Sequence, residues 1–159
     1  MKKQYLFIIL ALLMLLSACG KSVNAPVIEE VDEEENELKD WGFEVTTEQD
    51  ESALHVKMTV TNNLEEKQSI DFSSGQKYEV VLRSNGEEVY RYSDGKMFTM
   101  AIITEGFEPG ESKTYEQLIP LDGTLAGEYE LTAELVVAAV NGESVADSIF
   151  KQVTMVEVK

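Results

Sequence analysis

Apolar and polar residues alternate with a period of two in several stretches of the chain, and this pattern predicts half-buried β-strands. Residues 53–61 place Leu54, Val56, Met58 and Val60 on one face and His55, Lys57, Thr59 and Thr61 on the other. In residues 77–83 the inward positions are Tyr78, Val80 and Leu82. In residues 128–137 the inward positions are Tyr129, Leu131, Ala133, Leu135 and Val137, and the outward ones are Glu128, Glu130, Thr132 and Glu134. Residues 149–158 form a last strand that alternates poorly, so its register stays open.

Turn signals separate these runs. Asn85-Gly86 and Asn141-Gly142 favour two-residue hairpins because both residue types tolerate positive φ. Asp94-Gly95 is a third turn of this kind, and Pro109-Gly110 favours a type II turn. Short strands at this spacing predict an all-β fold, an immunoglobulin-like antiparallel β-sandwich of about seven or eight strands, over residues 41–159.

The N-terminal segment has the pattern of a bacterial lipoprotein signal peptide, residues 1–18. Lys2 and Lys3 precede the apolar run YLFIILALLMLL. This run is too short to cross a membrane as a helix, which takes about 20 residues. The sequence Leu16-Ser17-Ala18-Cys19 then resembles a lipobox. We therefore expect Cys19 to be lipidated and to become the first residue of the mature chain, which would anchor it to the cell membrane, facing outside the cytoplasm.

An acidic segment follows the lipobox. Residues 19–40 include EEVDEEENE at positions 29–37, a run that repels itself and predicts an extended tether. A flexible chain of about 20 residues spans roughly 25 Å. The alternative is a loose calcium-binding strip, although the segment lacks the D-x-[DN]-x-[DN]-G pattern that orients calcium ligands.

Charge and composition narrow the function. The chain has 159 residues with 13 Lys and Arg against 30 Asp and Glu, a net charge of −17 that disfavours nucleic acid as a partner. One Cys and one His leave little material for disulfides, zinc sites or His-dependent catalysis. We expect neither a cofactor nor a small-molecule substrate.

Catalytic motifs are incomplete. His55 falls on the polar face of a strand, where a solvent-facing role is expected rather than a catalytic one. Gly110-x-Ser112 and Gly142-x-Ser144 share part of the G-x-S-x-G pattern without completing it. We therefore expect a protein that binds another protein and is not an enzyme.

Two segments concentrate the cations and aromatic residues that suit a protein interface. The candidate binding loops comprise Ser73, Ser74, Gly75, Gln76 and Lys77, followed by Arg91, Tyr92, Ser93, Asp94, Gly95, Lys96 and Met97. The alternative is structural: Phe72 and Phe98 would fill the core, Gly75 would form a bulge or turn, and Arg91 would hold an ion pair.

These segments resemble the BsuPI family, the intracellular proteinase inhibitors of bacilli. The resemblance lies in F-S-S-G-Q-K-Y-E-V-V at residues 72–81, Y-R-Y-S-x-x-K-M-F-T at residues 90–99, Pro109-Gly110-Glu111 and Gly127-Glu128-Tyr129. It covers roughly residues 54–158. It implies a single all-β domain without disulfides, whose activity is inhibition of a subtilisin-like serine protease. The family's founding inhibitor is cytoplasmic, whereas this chain carries a lipoprotein signal, so the target stays open.

Two functions follow from these observations. One is a membrane-anchored inhibitor of an extracellular serine protease, with loops stiffened by strand pairing and packed aromatic residues in place of disulfides. The other is a non-inhibitory accessory module on the cell surface, because β-sandwiches host many unrelated functions.

Overall fold

A computed structural model describes residues 40–121, 125–146 and 148–159. The predicted signal peptide, Cys19 and the predicted tether up to residue 39 lie outside the described residues. Within the described ranges, no helix is long and apolar enough to cross a membrane.

The described residues form ten antiparallel β-strands. Their bounds are β1 Trp41–Gln49, β2 Ala53–Asn62, β3 Gln68–Phe72, β4 Tyr78–Ser84, β5 Glu87–Arg91, β6 Ile103–Phe107, β7 Ser112–Pro120, β8 Gly127–Leu135, β9 Val137–Val140 and β10 Lys151–Val158. They are arranged as three sheets with the strand orders β1-β2-β7, β10-β8-β4-β5 and β6-β3-β9. The all-β sandwich predicted from the alternation is confirmed.

The core lies between the sheets and has two parts. The first part joins the β1-β2-β7 sheet to the four-stranded sheet, through Val56 and Met58 on one side and Leu82 and Leu131 on the other. The second part covers the three-stranded β6-β3-β9 sheet and includes Phe72, Phe107 and Phe150. The apolar faces predicted for residues 53–61 and 77–83 are buried in this core, except that Tyr78 is half-buried.

The strand count exceeds the predicted seven or eight. β1 is largely exposed, and most of its residues after Val45 are polar, so its alternation is weak. The run predicted as one strand over residues 128–137 is divided into β8 and β9, and the two strands pair in different sheets. Val137 is consequently half-buried at the start of β9.

One predicted outward position also differs. Thr132 is buried, although the pattern places it on the solvent face. It lies opposite Val81 in the register of β4 and β8, and Arg83 Nη1 lies 3.5 Å from its hydroxyl. Since the arginine side chain covers this part of the outer face, Thr132 and Val81, which share that face, are both shielded from solvent.

The last strand is shorter than predicted but regular. β10 pairs with β8 from Lys151 opposite Glu134 to Val158 opposite Gly127. Val156 and Val158 point into the core, whereas Val153 and Met155 are exposed. The alternation is weak in the sequence because the solvent face of this edge strand also carries apolar residues.

The turns follow the sequence signals. Asn85 and Gly86 both have positive φ and join β4 to β5. Asn141 and Gly142 also have positive φ, and they form a tight turn after β9 that is closed by a bridge between Val140 and Glu143. In the Pro109-Gly110 turn, Gly110 has φ +73° and the N–H of Glu111 donates to the carbonyl of Glu108. Asp94-Gly95 also forms a turn, but it lies inside a long loop after β5 and does not close a hairpin.

Candidate functional site

The two predicted binding segments lie side by side. The first is the connection between β3 and β4, residues 73–77, and the second is the connection between β5 and β6. The backbone N–H of Gly75 donates to the carbonyl of Thr99 at 2.9 Å. We call residues 73–77 and 91–102 the paired loops.

Gly75 is required by this close approach. A Cβ atom at this position would lie 2.6 Å from Thr99 Oγ1 and 3.3 Å from its backbone nitrogen. The φ angle of Gly75 is not in the left-handed region. The glycine therefore serves close contact between two backbones, not a turn conformation.

A buried carboxylate connects both loops. Glu79, in β4, is only 5% exposed. Its Oε2 accepts from Gln76 Nε2 at 3.0 Å, and its Oε1 accepts from the backbone N–H of Ser93 at 3.1 Å. Arg91 Nη1 lies 3.5 Å from the same carboxylate. Since a buried charge must be paired and hydrogen-bonded, Glu79 holds both loops against β4.

Packed aromatic rings attach the second of the paired loops to the domain. Tyr92 stacks on Tyr78 with 4.4 Å between ring centroids, and Phe98 lies 5.9 Å from Tyr92. Tyr78 in turn contacts Tyr115 of β7 at 6.2 Å, and its hydroxyl donates to the carbonyl of Glu116. Burial, with a smaller contribution from Tyr92, raises the pKa of Tyr78, so its hydroxyl stays neutral and continues to donate.

The cations of the paired loops have different surroundings. Lys96 Nζ lies over the Tyr92 ring, 3.3 Å from the centroid, and this lysine is exposed. Lys77 is half-buried and pairs with Glu105 of β6. Arg91 is bound on one side by Glu88, with Nε 2.8 Å from Oε1, and on the other by Glu79.

Glu105 is the anchor of the first loop. It accepts from Tyr115 at 2.7 Å and from Lys77, and Lys113 lies 3.7 Å away. Burial alone would raise the pKa of Glu105, but the hydrogen bonds from Lys77 and Tyr115, together with the positive charges of Lys77 and Lys113, outweigh burial and hold the pKa below its usual range. Lys77 therefore stabilises the base of the paired loops.

The structural alternative describes several residues correctly. Phe72 is completely buried, Phe98 is half-buried on Tyr92, and Arg91 holds ion pairs. Ser74 Oγ accepts from the backbone N–H of Gln76 and shapes the first loop. The exposed members of the predicted set are Ser73, Asp94, Gly95, Lys96 and Met97.

The sequence analysis assigned no binding or positioning role to four residues of this region: Glu79, Thr99, Met100 and Ile102. The first two do belong to the motifs at residues 72–81 and 90–99. A signal existed for the last two, because the run MFTMAI at residues 97–102 is apolar without being a strand. Glu79 carried no such signal, since period two places it on the solvent face of β4.

A polar cluster at the start of β2 has the residue types of a hydrolase triad in a different order. Asp50 accepts from Ser52 Oγ at 2.7 Å and contacts His55 Nε2 at 2.8 Å. In a triad the histidine lies between serine and aspartate, whereas here the aspartate lies in the middle. Hydrogen bonds from the hydroxyl and N–H of Ser52, then from His55 and Ala53, hold the pKa of Asp50 well below its usual range. The cluster closes the turn between β1 and β2.

Within the part of the chain that the structure describes, no group of three His, Cys, Asp or Glu side chains could hold a metal ion. The acidic segment for which calcium binding was the alternative interpretation lies outside the described residues.

The sequence model of the BsuPI family, the intracellular proteinase inhibitors, matches residues 41–140. The chain belongs to the BsuPI family. The matched segment runs from β1 to β9 and contains the paired loops completely. The resemblance seen in the sequence motifs is thereby confirmed, and it agrees with a role as an inhibitor that contacts a protein partner.

Other comparisons add little to this assignment. No curated protein matches the chain. β-Glucosidase 3B from Thermotoga neapolitana, in complex with α-D-glucose, is 18% identical with a TM-score of 0.38, over 74% of this chain and 16% of the enzyme. The β-glucosidase from Kluyveromyces marxianus, in complex with glucose, is 15% identical with a TM-score of 0.37, over 75% of this chain and 14% of the enzyme. This chain thus spans about a sixth of the length of these enzymes or less, and at such TM-scores neither enzyme bears on its function.

Proposed function

We propose that this BsuPI-family chain is a membrane-anchored inhibitor of an extracellular serine protease, and that it binds the protease through the paired loops. The observation that carries the proposal is the family match over residues 41–140, which contains both loops. A proteinase inhibitor acts by occupying the cleft of its target, so it needs a protruding surface of fixed shape.

The paired loops meet this requirement without a disulfide. Their fixed points are the Gly75–Thr99 hydrogen bond, the shared carboxylate of Glu79 and the stack of Tyr92 on Tyr78. Loops that are ordered before binding lose less conformational entropy in the complex, which favours tight association. Protease–inhibitor complexes typically form with little backbone movement.

The anchor follows from the N-terminal sequence. Lipidation of Cys19 would place the domain outside the cytoplasm, on a tether that spans roughly 25 Å. The partner in this proposal is therefore a protease that reaches the outer side of the membrane. The net charge of −17 favours an enzyme whose cleft is surrounded by basic residues.

An inhibition assay tests the proposal. The full chain, purified in a mild detergent, is titrated against a panel of extracellular serine proteases, and the inhibition constant is measured from progress curves. Sub-micromolar inhibition of at least one enzyme is expected. Lys96→Glu, in the paired loops, should weaken that inhibition about tenfold or more.

Lys159→Glu is the matched control, because Lys159 is exposed and pairs with Glu157 at the end of β10. It should leave the inhibition constant unchanged. A chain that inhibits no enzyme of the panel contradicts the proposal and favours the accessory module. Equal losses in both variants would show that general charge, not the paired loops, determines binding.

A further inference from the structure

The second of the paired loops has one anchored side and one exposed side. Phe98 packs on Tyr92, and the carbonyl of Thr99 is held by Gly75. On either side of these anchors, Met97, Met100 and Ile102 are 99%, 92% and 76% exposed. These are the most exposed of the large apolar side chains in the described residues.

Such exposure is unfavourable in water and needs a reason. Scattered exposed apolar residues are ordinary, but three within six positions of one irregular loop mark a surface that binds. The loop belongs to no strand between residues 96 and 102, so its backbone N–H and carbonyl groups are not committed to a sheet. It therefore offers side chains and backbone together, as a protease substrate does.

Met100 is the best placed of the three for the centre of a protease cleft. It directly follows Thr99, whose carbonyl position is fixed. The next residue, Ala101, is small and exposed, so the peptide bond between them is open to approach. Met97 is instead followed by Phe98, whose ring is held against the domain, and Ile102 is β-branched at the entry to β6.

We infer that Met100 enters the primary specificity pocket of the target protease, that the Met100–Ala101 peptide faces its nucleophile, and that Met97 fills an apolar subsite three residues upstream. This assignment rests on the proposed function. A serine protease selects its primary residue by the chemistry of one pocket, and an unbranched thioether side chain fits an apolar slot. The target is thus a serine protease with a deep apolar primary pocket.

The attachment of the loop on both sides of the Met100–Ala101 bond explains why it would act as an inhibitor and not as an ordinary substrate. Hydrolysis would add one water across the Met100–Ala101 bond, leaving a carboxylate on Met100 and an amine on Ala101. Gly75 would still hold the Thr99 side of the cut, and β6 would hold the other from Ile103 onward. The new ends stay in the cleft, so the cut chain dissociates slowly.

A change of specificity tests the assignment. The full chain in detergent is assayed against two proteases, one with an apolar primary pocket and one whose pocket ends in an aspartate and selects Arg or Lys. Met100→Arg should weaken inhibition of the first at least about 30-fold, and it should create inhibition of the second. Met97→Ala should weaken inhibition of the first by a smaller factor.

Met155→Arg is the matched control, since Met155 is 66% exposed on the outer face of β10. It should change neither inhibition constant. Prolonged incubation of the wild type with the first protease should yield a single cut, between Met100 and Ala101, found under denaturing conditions as two fragments whose masses add up to that of the intact chain plus one water.

The outcomes separate the two proposals. A wild type that inhibits neither enzyme, nor any enzyme of the wider panel, overturns the proposed function and this assignment with it. A wild type that inhibits the first enzyme while Met100→Arg inhibits it equally well overturns the assignment alone. A single cut at another bond, with inhibition intact, does the same.

Discussion

The backbone N–H of Gly75 donates to the carbonyl of Thr99 at 2.9 Å, and this hydrogen bond joins the two paired loops. It is also the point at which the exposed segment from Met97 to Ile102 is attached to the domain. The rigidity of the candidate binding surface therefore depends in part on Gly75.

Gly75→Ala should loosen this attachment. The new Cβ would lie 2.6 Å from Thr99 Oγ1, so the loop must shift. We expect a loss of about 1 kcal/mol in the free energy of unfolding and a weakening of inhibition of about tenfold. Urea unfolding followed by fluorescence of Trp41, the single tryptophan, measures the first.

Two further variants test the cause. Gly75→Ala combined with Thr99→Ala removes the closest atom and should recover much of the loss. Gly106→Ala adds a Cβ only 3.4 Å from the flexible end of Lys67 and should have little effect. Equal losses from Gly75→Ala and Gly106→Ala would contradict the proposed role of Gly75.

Glu79→Ala should be among the most destabilising single changes in the paired loops. It leaves the donors of Gln76, Ser93 and Arg91 without their shared acceptor. We expect a loss of about 2–4 kcal/mol in urea unfolding. Glu88→Ala is the control, because it removes the exposed partner of the same arginine and should cost much less stability than Glu79→Ala. Similar costs for both variants would mean that Glu79 does not hold the loops.

Replacing Lys96 or Arg91 should lower the free energy of unfolding by different amounts, although residue type alone suggests that both are equivalent surface cations. Lys96→Ala should cost about 0.5–1 kcal/mol, the value of an exposed cation over an aromatic ring. Arg91→Ala should cost about 1–2 kcal/mol, because Glu79 stays buried without its cation. Thermal or urea unfolding shows which of the two variants loses more stability. A larger loss for Lys96→Ala than for Arg91→Ala would contradict the role assigned to the Arg91–Glu79 pair.

The alternation of residue types was sufficient to predict the inward faces of β2 and β4, because a strand with one buried face repeats every two residues. The alternation gave wrong faces where a residue on the outer face is covered by another segment of the chain. Glu79 and Val81 both lie on the outer face of β4, yet both are buried. Glu79 receives the N–H of Ser93, and Val81 lies opposite Arg91 in the register of β4 and β5.

The binding loops were located by residue type, but their association was not. Cations and aromatic residues marked residues 73–77 and 91–97, and the pattern contained nothing that would bring Gly75 to Thr99. That contact depends on the order of strands, which places the β3–β4 and β5–β6 connections at the same end of β4. Period-two patterns define faces and carry no information on which loop ends meet.

Acid should weaken the domain through Glu105. Because its folded-state pKa is depressed, its ion pairs contribute stability that is present above its unfolded value of about 4.5 and is lost as the pH falls through the lower folded value. Glu105→Gln should therefore be less stable than the wild type at pH 7, and the difference should shrink below about pH 4.5. Urea unfolding at a series of pH values measures this. A difference that stays constant down to pH 3 would contradict the assignment.

Cys19→Ala should abolish lipid attachment. The residue closes the Leu16-Ser17-Ala18-Cys19 motif and is the single cysteine of the chain, so no other thiol can take the lipid. Cells grown with labelled fatty acid should label the wild type and not the variant. The variant should either keep its signal peptide or be released without lipid, and a mass measurement distinguishes these two outcomes.

Ser17→Ala is the control for this change, because alanine keeps the small side chain that the motif requires. Its label and its cleavage should equal those of the wild type. Two acyl chains are needed for stable anchoring, since a single chain binds membranes only weakly. Thus the wild type should sediment with membranes and Cys19→Ala should lose that association or remain as an uncleaved precursor. Label retained in Cys19→Ala would show that the lipid is elsewhere, and the proposed location of the inhibitor outside the cytoplasm would lose its basis.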